Sequence, residues 1–409
     1  MRVLHINTNS CTGGAAIAAK RHCEAMRHAG IDAKMLCLYG KPNEYTLIDS
    51  RSAEAYKSKL CFARIRHYWN RLFVKKTAWH WLDADYDVTN IKEVQEADII
   101  YLHWVNEYLS VNSIKSILGL GKPVVWYMHD MWPITGGCHH SFDCKGYTND
   151  CSHCPQMKIF RNKTACVLKK KIESLTPFSN LYGAAPSNWL CELISESSVF
   201  NGHKVLHIPN VIDTEVYRPA DKVAVRNELA LPIDKKLIIF SAMGVDNPFK
   251  GVKYLVDTVE RLCRENKDIE YLVVGKCDPN IFSDVARAKM HFTGYIDSQE
   301  KMIRYYNASD VLLTTSLADN FPNVVIEAMA CGVPAVGFKT GGIVDQIHHK
   351  ENGWIVPQKD VDGLVEGIKW VLFKANYPKL QQASRQYVEE CCSYHNVLSI
   401  HQPALDLFT

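Results

Sequence analysis

The sequence predicts an α/β chain built as two successive domains, and three observations carry that expectation. Its 409 residues are 47% hydrophobic, enough to bury two ordinary cores. Short apolar runs, such as Asp98–Trp104 (DIIYLHW), Pro123–Met128 (PVVWYM) and Tyr271–Gly275 (YLVVG), read as parallel strands buried on both faces. The alternation of strand and helix then pauses at Ile208-Pro209-Asn210-Val211-Ile212-Asp213 and restarts beyond Pro219. Residues 1–212 and 213–375 are read as the two domains, with 376–409 crossing back to the first.

Composition excludes several classes. A net charge of +3 gives no reason to expect a nucleic-acid partner. No apolar run reaches the length of a membrane span. The N-terminus reads as a strand and not as a signal peptide, because Asn7-Thr8-Asn9 follows Val3–Ile6 at once. Fifteen cysteines are too few for a disulfide scaffold in a chain this long, and a reducing cytosol is the simpler setting.

Met1–Ile6 opens the first domain as a strand, Gly13-Gly14 make the turn, and the alanine-rich stretch Ala15–Ala29 is the helix. The full G-x-G-x-x-G is missing, so dinucleotide binding is not supported. The two glycines have two readings, a plain turn or a loop that approaches a ligand. Lys34–Leu38 reads as the next strand. From Arg51 to His80 the chain turns basic, and Cys61, Ile65, Tyr68, Trp69 and Leu72 share one helical face flanked by Lys59, Arg64, Arg66 and Arg71. Such a helix suits an anionic membrane surface, or it packs on its own domain with a solvated flank. His103 ends one strand, and His129-Asp130-Met131-Trp132 follow the next, where ligands of open α/β sheets bind.

Cys138, Cys144, Cys151 and Cys154 crowd into an insertion at 136–156, closing as C-x-x-C. They predict either a structural zinc held by four thiolates or two disulfides, with zinc favoured in a reducing compartment. Four such ligands leave no open position, so the metal would be structural. Lys158–Lys171 is again basic. Leu181–Ala185 and Lys204–His207 read as the last strands of this half, and Leu237–Ala242 as the first strand of the second. Gly244, Lys250 and Gly251 then bracket a loop, and Lys250 is the side chain suited to a phosphate.

The stretch LTTSLADNFPNVVIEAMACGVPAVGFKTGG, Leu313 to Gly342, organises the C-terminal half. Asp319 and Glu327 have seven residues between them, with Pro322 placed for the first turn of a helix. Val324, Val325, Ala328 and Met329 form its apolar face, and Gly332 ends it. A helix entered through a tight loop points unpaired N–H groups and a positive dipole end at what precedes it, which suits a phosphate. Flanking acids suit sugar hydroxyls, and the combination implies a nucleotide sugar.

This stretch, with NGWIVP at Asn352–Pro357, resembles the glutamate–seven–glutamate signature of retaining glycosyltransferases of family four. The resemblance implies the GT-B fold, two Rossmann-like domains facing each other across a deep cleft. It also implies roles. Lys250, Asp319, Glu327 and His129 would be catalytic, and Gly13, Gly14 and Gly244 would approach the donor diphosphate. Asn320, Phe321, Pro322, Asn323 and Val324 would hold the donor at the helix tip, with Tyr295 and Ile296 beside the base. Asp319 replaces the usual glutamate, and Val245 stands where the family carries arginine. The implied reaction moves a sugar from a nucleoside-diphosphate donor, UDP ahead of GDP, to a saccharide carried on a lipid, at the cytoplasmic face of a membrane. The departing phosphate takes the acceptor's proton, so no protein base and no divalent cofactor are expected. Two alternatives stay open: a GT-B sugar-nucleotide 2-epimerase, and a zinc-stabilised nucleic-acid-binding module without enzymatic activity.

Overall fold

The computed structural model describes residues 1–55, 57, 72–75, 78–81, 86–159, 161–244 and 248–407. The chain divides into two compact units, Met1–Val211 with Val397–Thr409, and Ile212–Asn396. The expected crossing segment is therefore shorter than 376–409. The helix Tyr377–Cys391 packs on Asn323–Ala330 inside the second unit, and only residues from Val397 onward join the first. The division falls at Val211/Ile212, beside the 212/213 boundary read from sequence, and Ile212 is tied to Cys392 and Tyr394 by backbone hydrogen bonds.

The first unit holds a parallel sheet of seven strands: β1 (Arg2–Asn9), β2 (Asp32–Tyr39), β3 (Thr46–Ile48), β4 (Ile99–Leu102), β5 (Val124–Tyr127), β6 (Leu181–Ala185) and β7 (Val205–His207). Their spatial order is β3-β2-β1-β4-β5-β6-β7. The second unit adds β8 (Lys236–Gly244), β9 (Ile269–Lys276), β10 (Met290–Gly294), β11 (Val311–Thr314), β12 (Ala335–Phe338) and β13 (Gly353–Val356), in the order β10-β9-β8-β11-β12-β13. Counted within its own unit, each sheet starts 3-2-1-4-5-6, the doubly wound order. The order reverses between β1 and β4, and again between β8 and β11, so loops leaving those four strands border the crevice where such sheets take ligands.

Alternation along the strands decides what each face carries. In the first unit Leu4, Ile6, Leu102, Trp126 and Met128 enter one apolar core, beneath the helices Val111–Leu118 and Lys163–Leu175. The opposite face carries His5, Tyr101, His103 and Tyr127, all buried, beneath the helices Gly14–His28 and Val397–Leu405. In the second unit both faces of the sheet are apolar. Buried charge sits instead at the N-terminal ends of the central strands β8 and β11: Asp310 accepts from Arg226 at 2.7 Å, from Lys222 at 2.7 Å and from the Leu237 amide at 2.8 Å. Burial works against the Asp310 carboxylate, but Lys222, the Leu237 amide and Arg226 outweigh it and hold its pKa below the usual range.

No described helix is long and apolar enough to cross a membrane. Most of the basic stretch expected as an amphipathic helix, including Cys61, Ile65, Tyr68 and Trp69, lies outside the described residues, as does Val245.

Candidate functional site

In the second unit the loops leaving β8 and β11 are stitched together. Thr315 Oγ1 donates to the Lys250 carbonyl at 2.7 Å, and the Leu317 amide donates to the Phe249 carbonyl at 2.7 Å. Gly251 permits this approach: its φ is +66°, and a Cβ there would stand 2.1 Å from the Thr315 carbonyl oxygen. The stitching brings Lys250 Nζ to 2.5 Å from Asp319 Oδ2, and Ser316 Oγ donates to the same oxygen at 3.2 Å. The side chains of Lys250 and Asp319 keep 29% and 16% of their surface exposed, so the pair sits at a mouth and not in a core.

The helix that follows runs Asn323–Ala330. Pro322 is its N-cap, with φ −63° and ψ 123°, and not a first-turn residue as expected. Its extended ψ is the reason: the chain has not yet entered the helix at Pro322, and the proline side chain offers no cap. Gln346 Nε2 holds the Pro322 carbonyl at 3.2 Å, and Asn352 Nδ2 holds the Gln346 carbonyl at 3.1 Å. The asparagine of NGWIVP thus supports the helix entry from behind. Val325, Ala328 and Met329 are buried, whereas Val324 is only partly so. Gly332 ends the helix at φ +75°.

Glu327 lies on the second turn and is 8% exposed. Tyr306 Oη, from the helix Gln299–Ala308, donates to Glu327 Oε2 at 2.8 Å. Burial and that carboxylate drive the Tyr306 hydroxyl well above its ordinary pKa, so it stays a donor. Neither Tyr306 nor Thr315 was expected from sequence, because each matters only through its partner. Asn320 and Phe321 are buried in the loop before the helix; Asn323 and Ile296 are half-buried, and Tyr295 is exposed after β10. Gly244 ends β8, opposite Lys276.

The first unit brings Gly13-Gly14, His103 and His129 to the C-terminal ends of β1, β4 and β5. Gly13 needs its glycine for a φ of +94°, ahead of a 15-residue helix with no side-chain cap. His129 Nε2 stands 3.1 Å from His103 Nδ1. Burial lowers the His129 pKa to about 4, against the pull of Asp130. Asp130 Oδ1 accepts from the Trp132 amide at 2.8 Å, and Oδ2 lies 2.6 Å from His139 Nδ1. Burial alone would raise Asp130, but His139, the Trp132 amide and His140 prevail and hold it at about 2.

Cys138, Cys144, Cys151 and Cys154 line one small cavity with Trp79 and Thr164. None is in a disulfide, and the Gly146 amide points at Cys144 Sγ across 3.4 Å. Burial pushes Cys138 up to about 12 and Cys151 to about 11. Among the described residues no three histidine, cysteine or acidic side chains stand at metal-holding spacing.

Residues 234–373, which contain Lys250, Asp319 and Glu327, match the family model described as glycosyl transferases group 1. The chain is a glycosyltransferase carrying a group 1 domain. Over 97% of its length, and 100% of the relative's, it is 23% identical to the putative colanic acid biosynthesis glycosyl transferase WcaC of Escherichia coli. Two solved structures share the fold of this glycosyltransferase. One is sucrose-phosphate synthase from Thermosynechococcus elongatus, with a TM-score of 0.64, 18% identity and coverage of 100% and 99% of the two chains. The other is Anabaena Alr3699/HepE in complex with UDP, with a TM-score of 0.62, 15% identity and 99% of each chain covered. The fold is GT-B.

Proposed function

We propose that this glycosyltransferase moves a sugar, with retention at the anomeric carbon, from a nucleoside-diphosphate donor to a saccharide acceptor of a cell-surface polysaccharide. The observation that carries the reading is the Lys250–Asp319 pair, 2.5 Å apart in loops bordering the switch point of the second sheet, with Glu327 on the second turn of the helix that follows. Negative charge grows on the β-phosphate as the sugar–phosphate bond breaks. Lys250 and the amides at Asn320, Phe321 and Asn323 are the groups assigned to it, with the Gly13-Gly14 loop and Gly244 beside the diphosphate. Asp319 keeps the ammonium in place while the site is empty, then turns to the hydroxyls of the transferred sugar. Glu327, held by Tyr306, takes the ribose hydroxyls; Tyr295 and Ile296 flank the base; His129 meets the sugar.

The departing phosphate takes the acceptor's proton, so this scheme asks for no protein base and no divalent ion. The WcaC relative supports a surface-polysaccharide product, and the UDP in the Anabaena protein supports a uridine donor. A lipid-carried acceptor and a place at the cytoplasmic face of a membrane belong to the same proposal. A structural zinc on Cys138, Cys144, Cys151 and Cys154 is supported only by their shared cavity. Its check is metal content, expected near one zinc per chain and lost in Cys144→Ser.

The deciding experiment is a thermal-shift panel of UDP- and GDP-sugars, since a true donor stabilises the fold by mass action. The stabilising donor is then incubated with acceptor, and the anomeric protons of the product are read by NMR. Stabilisation by no nucleotide sugar, or an inverted product, defeats the reading. Conversion of the donor to an epimer without acceptor would replace transfer by 2-epimerisation.

A further inference from the structure

One face of the first sheet is unusual for a buried surface: it is lined by imidazoles that hydrogen-bond to one another. His5 is on β1, His103 at the end of β4 and His129 at the end of β5. His5 Nδ1 is 2.9 Å from His103 Nε2, and His103 Nδ1 is 3.1 Å from His129 Nε2. The ring centroids are 5.2 Å apart in the first pair, tilted, and 5.3 Å apart in the second, stacked. His5 is 0% exposed and His103 is 2% exposed. His22 and His401 form a second buried pair, 2.9 Å apart, against the same face, with Tyr101 Oη 3.0 Å from His401.

Such a row cannot hold charge. Burial, reinforced by the neighbouring rings, keeps His5 and His103 far below the ordinary imidazole range. Each ring is then neutral and carries one proton, on one nitrogen or the other. The contacts couple these choices. Where one ring donates through Nδ1, the next must accept at Nε2, and its own proton must stand on Nδ1. The whole row therefore has two arrangements, running in opposite directions.

The far end of the row chooses between them. His5 Nε2 is buried and has no hydrogen-bond partner among the described residues. A proton there would be an unpaired buried donor, the rarer and costlier kind of orphan. Leaving Nε2 bare puts the proton on His5 Nδ1, then on His103 Nδ1, then on His129 Nδ1. We propose that His5 and His103 are positioning residues that fix His129 as a neutral ring with its proton on Nδ1, so that it donates to an oxygen and does not accept from a hydroxyl. Sequence distance hides the device: residues 5, 103 and 129 meet only because β1, β4 and β5 are neighbours in the sheet.

The catalytic consequence rests on the reading above that His129 meets the donor sugar; the tautomer itself does not. The test uses full-length protein labelled with nitrogen-15 in its imidazoles, whose shifts separate N–H, bare and charged-ring nitrogens. At neutral pH, His5, His103 and His129 should all show protonated Nδ1 and bare Nε2. His5→Phe removes the first donor of the row, two rings from His129, and should turn the His129 signals into a mixture of both tautomers. His5→Asn, whose amide nitrogen stands near the lost Nδ1, should restore the single form. With the row broken, kcat should fall roughly tenfold, the rate equivalent of about one hydrogen bond, and the Asn variant should recover it. A wild-type His129 protonated on Nε2, or one indifferent to His5→Phe in a folded chain, overturns the relay. If His5→Phe does not fold, the wild-type tautomers alone decide. A shifted tautomer with unchanged turnover would leave the relay standing and remove His129 from the donor site.

Discussion

The two sheets share a strand order, yet they place opposite kinds of polarity near the ends of their central strands. In the first unit one face of the sheet buries uncharged rings: His5, His22, His103 and His401, with lowered pKa values. In the second the polar groups at the strand ends are ions: Lys250 with Asp319 at the mouth, and Asp310 with Arg226 and Lys222 at the N-terminal end of β11. The difference shows what one topology can be asked to do. Rings that remain uncharged can be buried completely and still hand on a proton's position. Charges that must meet a phosphate have to stay near solvent, or be matched at once by a counter-charge.

Acid offers the largest way to break this comparison. The folded pKa of each buried ring lies below the unfolded value near 6.5, so the unfolded chain binds more protons as pH falls. The stabilising balance is intact above pH 6.5 and is lost as pH drops toward the folded values, about 3 for His5 and His401. Each ring contributes a slope of roughly 1.4 kcal/mol per pH unit within that window. Hydrogen exchange between pH 7 and 4.5 should show the first unit opening well before the second. Equal loss in both units would erase the contrast.

Next in size is Asp310→Ala, which strands a buried Arg226 and should cost about 3–5 kcal/mol. Urea unfolding reads it, with the loss confined to the second unit. Lys250→Ala should leave stability nearly unchanged but lower kcat a hundred- to thousandfold, roughly 2.7–4 kcal/mol of barrier. Normal turnover would detach the mouth pair from the chemistry. The smallest effect is expected from Tyr306→Phe. It removes the donor to Glu327 and should lower kcat/KM about tenfold through donor KM, with kcat nearly held. A fall in kcat alone would place Glu327 at the reacting centre.

Much of this was readable in advance wherever the signal is local. The helix Asn323–Ala330 was visible because its apolar residues, its entering proline and its closing glycine lie within one short stretch. Buried strands such as β6 were visible as apolar runs between turns. Gly13 and Gly251 stand out in the sequence as loop glycines, and the structure gives both a positive φ. What could not be read depends on long-range partners. Lys250 and Asp319 were placed on a phosphate and a sugar, but nothing in their spacing of 69 residues says that they also bind each other. A histidine alternating with apolar neighbours in a strand looks like any satisfied core residue until the sheet order is known. Pro322 missed its place by one residue, because a proline suits both the N-cap and the first helical position.

The helix Val397–Leu405 belongs to the first unit although the whole of Ile212–Asn396 is made before it. During synthesis, then, His22 and Tyr101 wait without His401, and the ring-lined face of the early sheet is covered only by the helix Gly14–His28. The unit that begins first must finish last. A chain ending after Val211 should bind a dye for exposed apolar surface, and adding residues 397–407 as a separate peptide should abolish that signal.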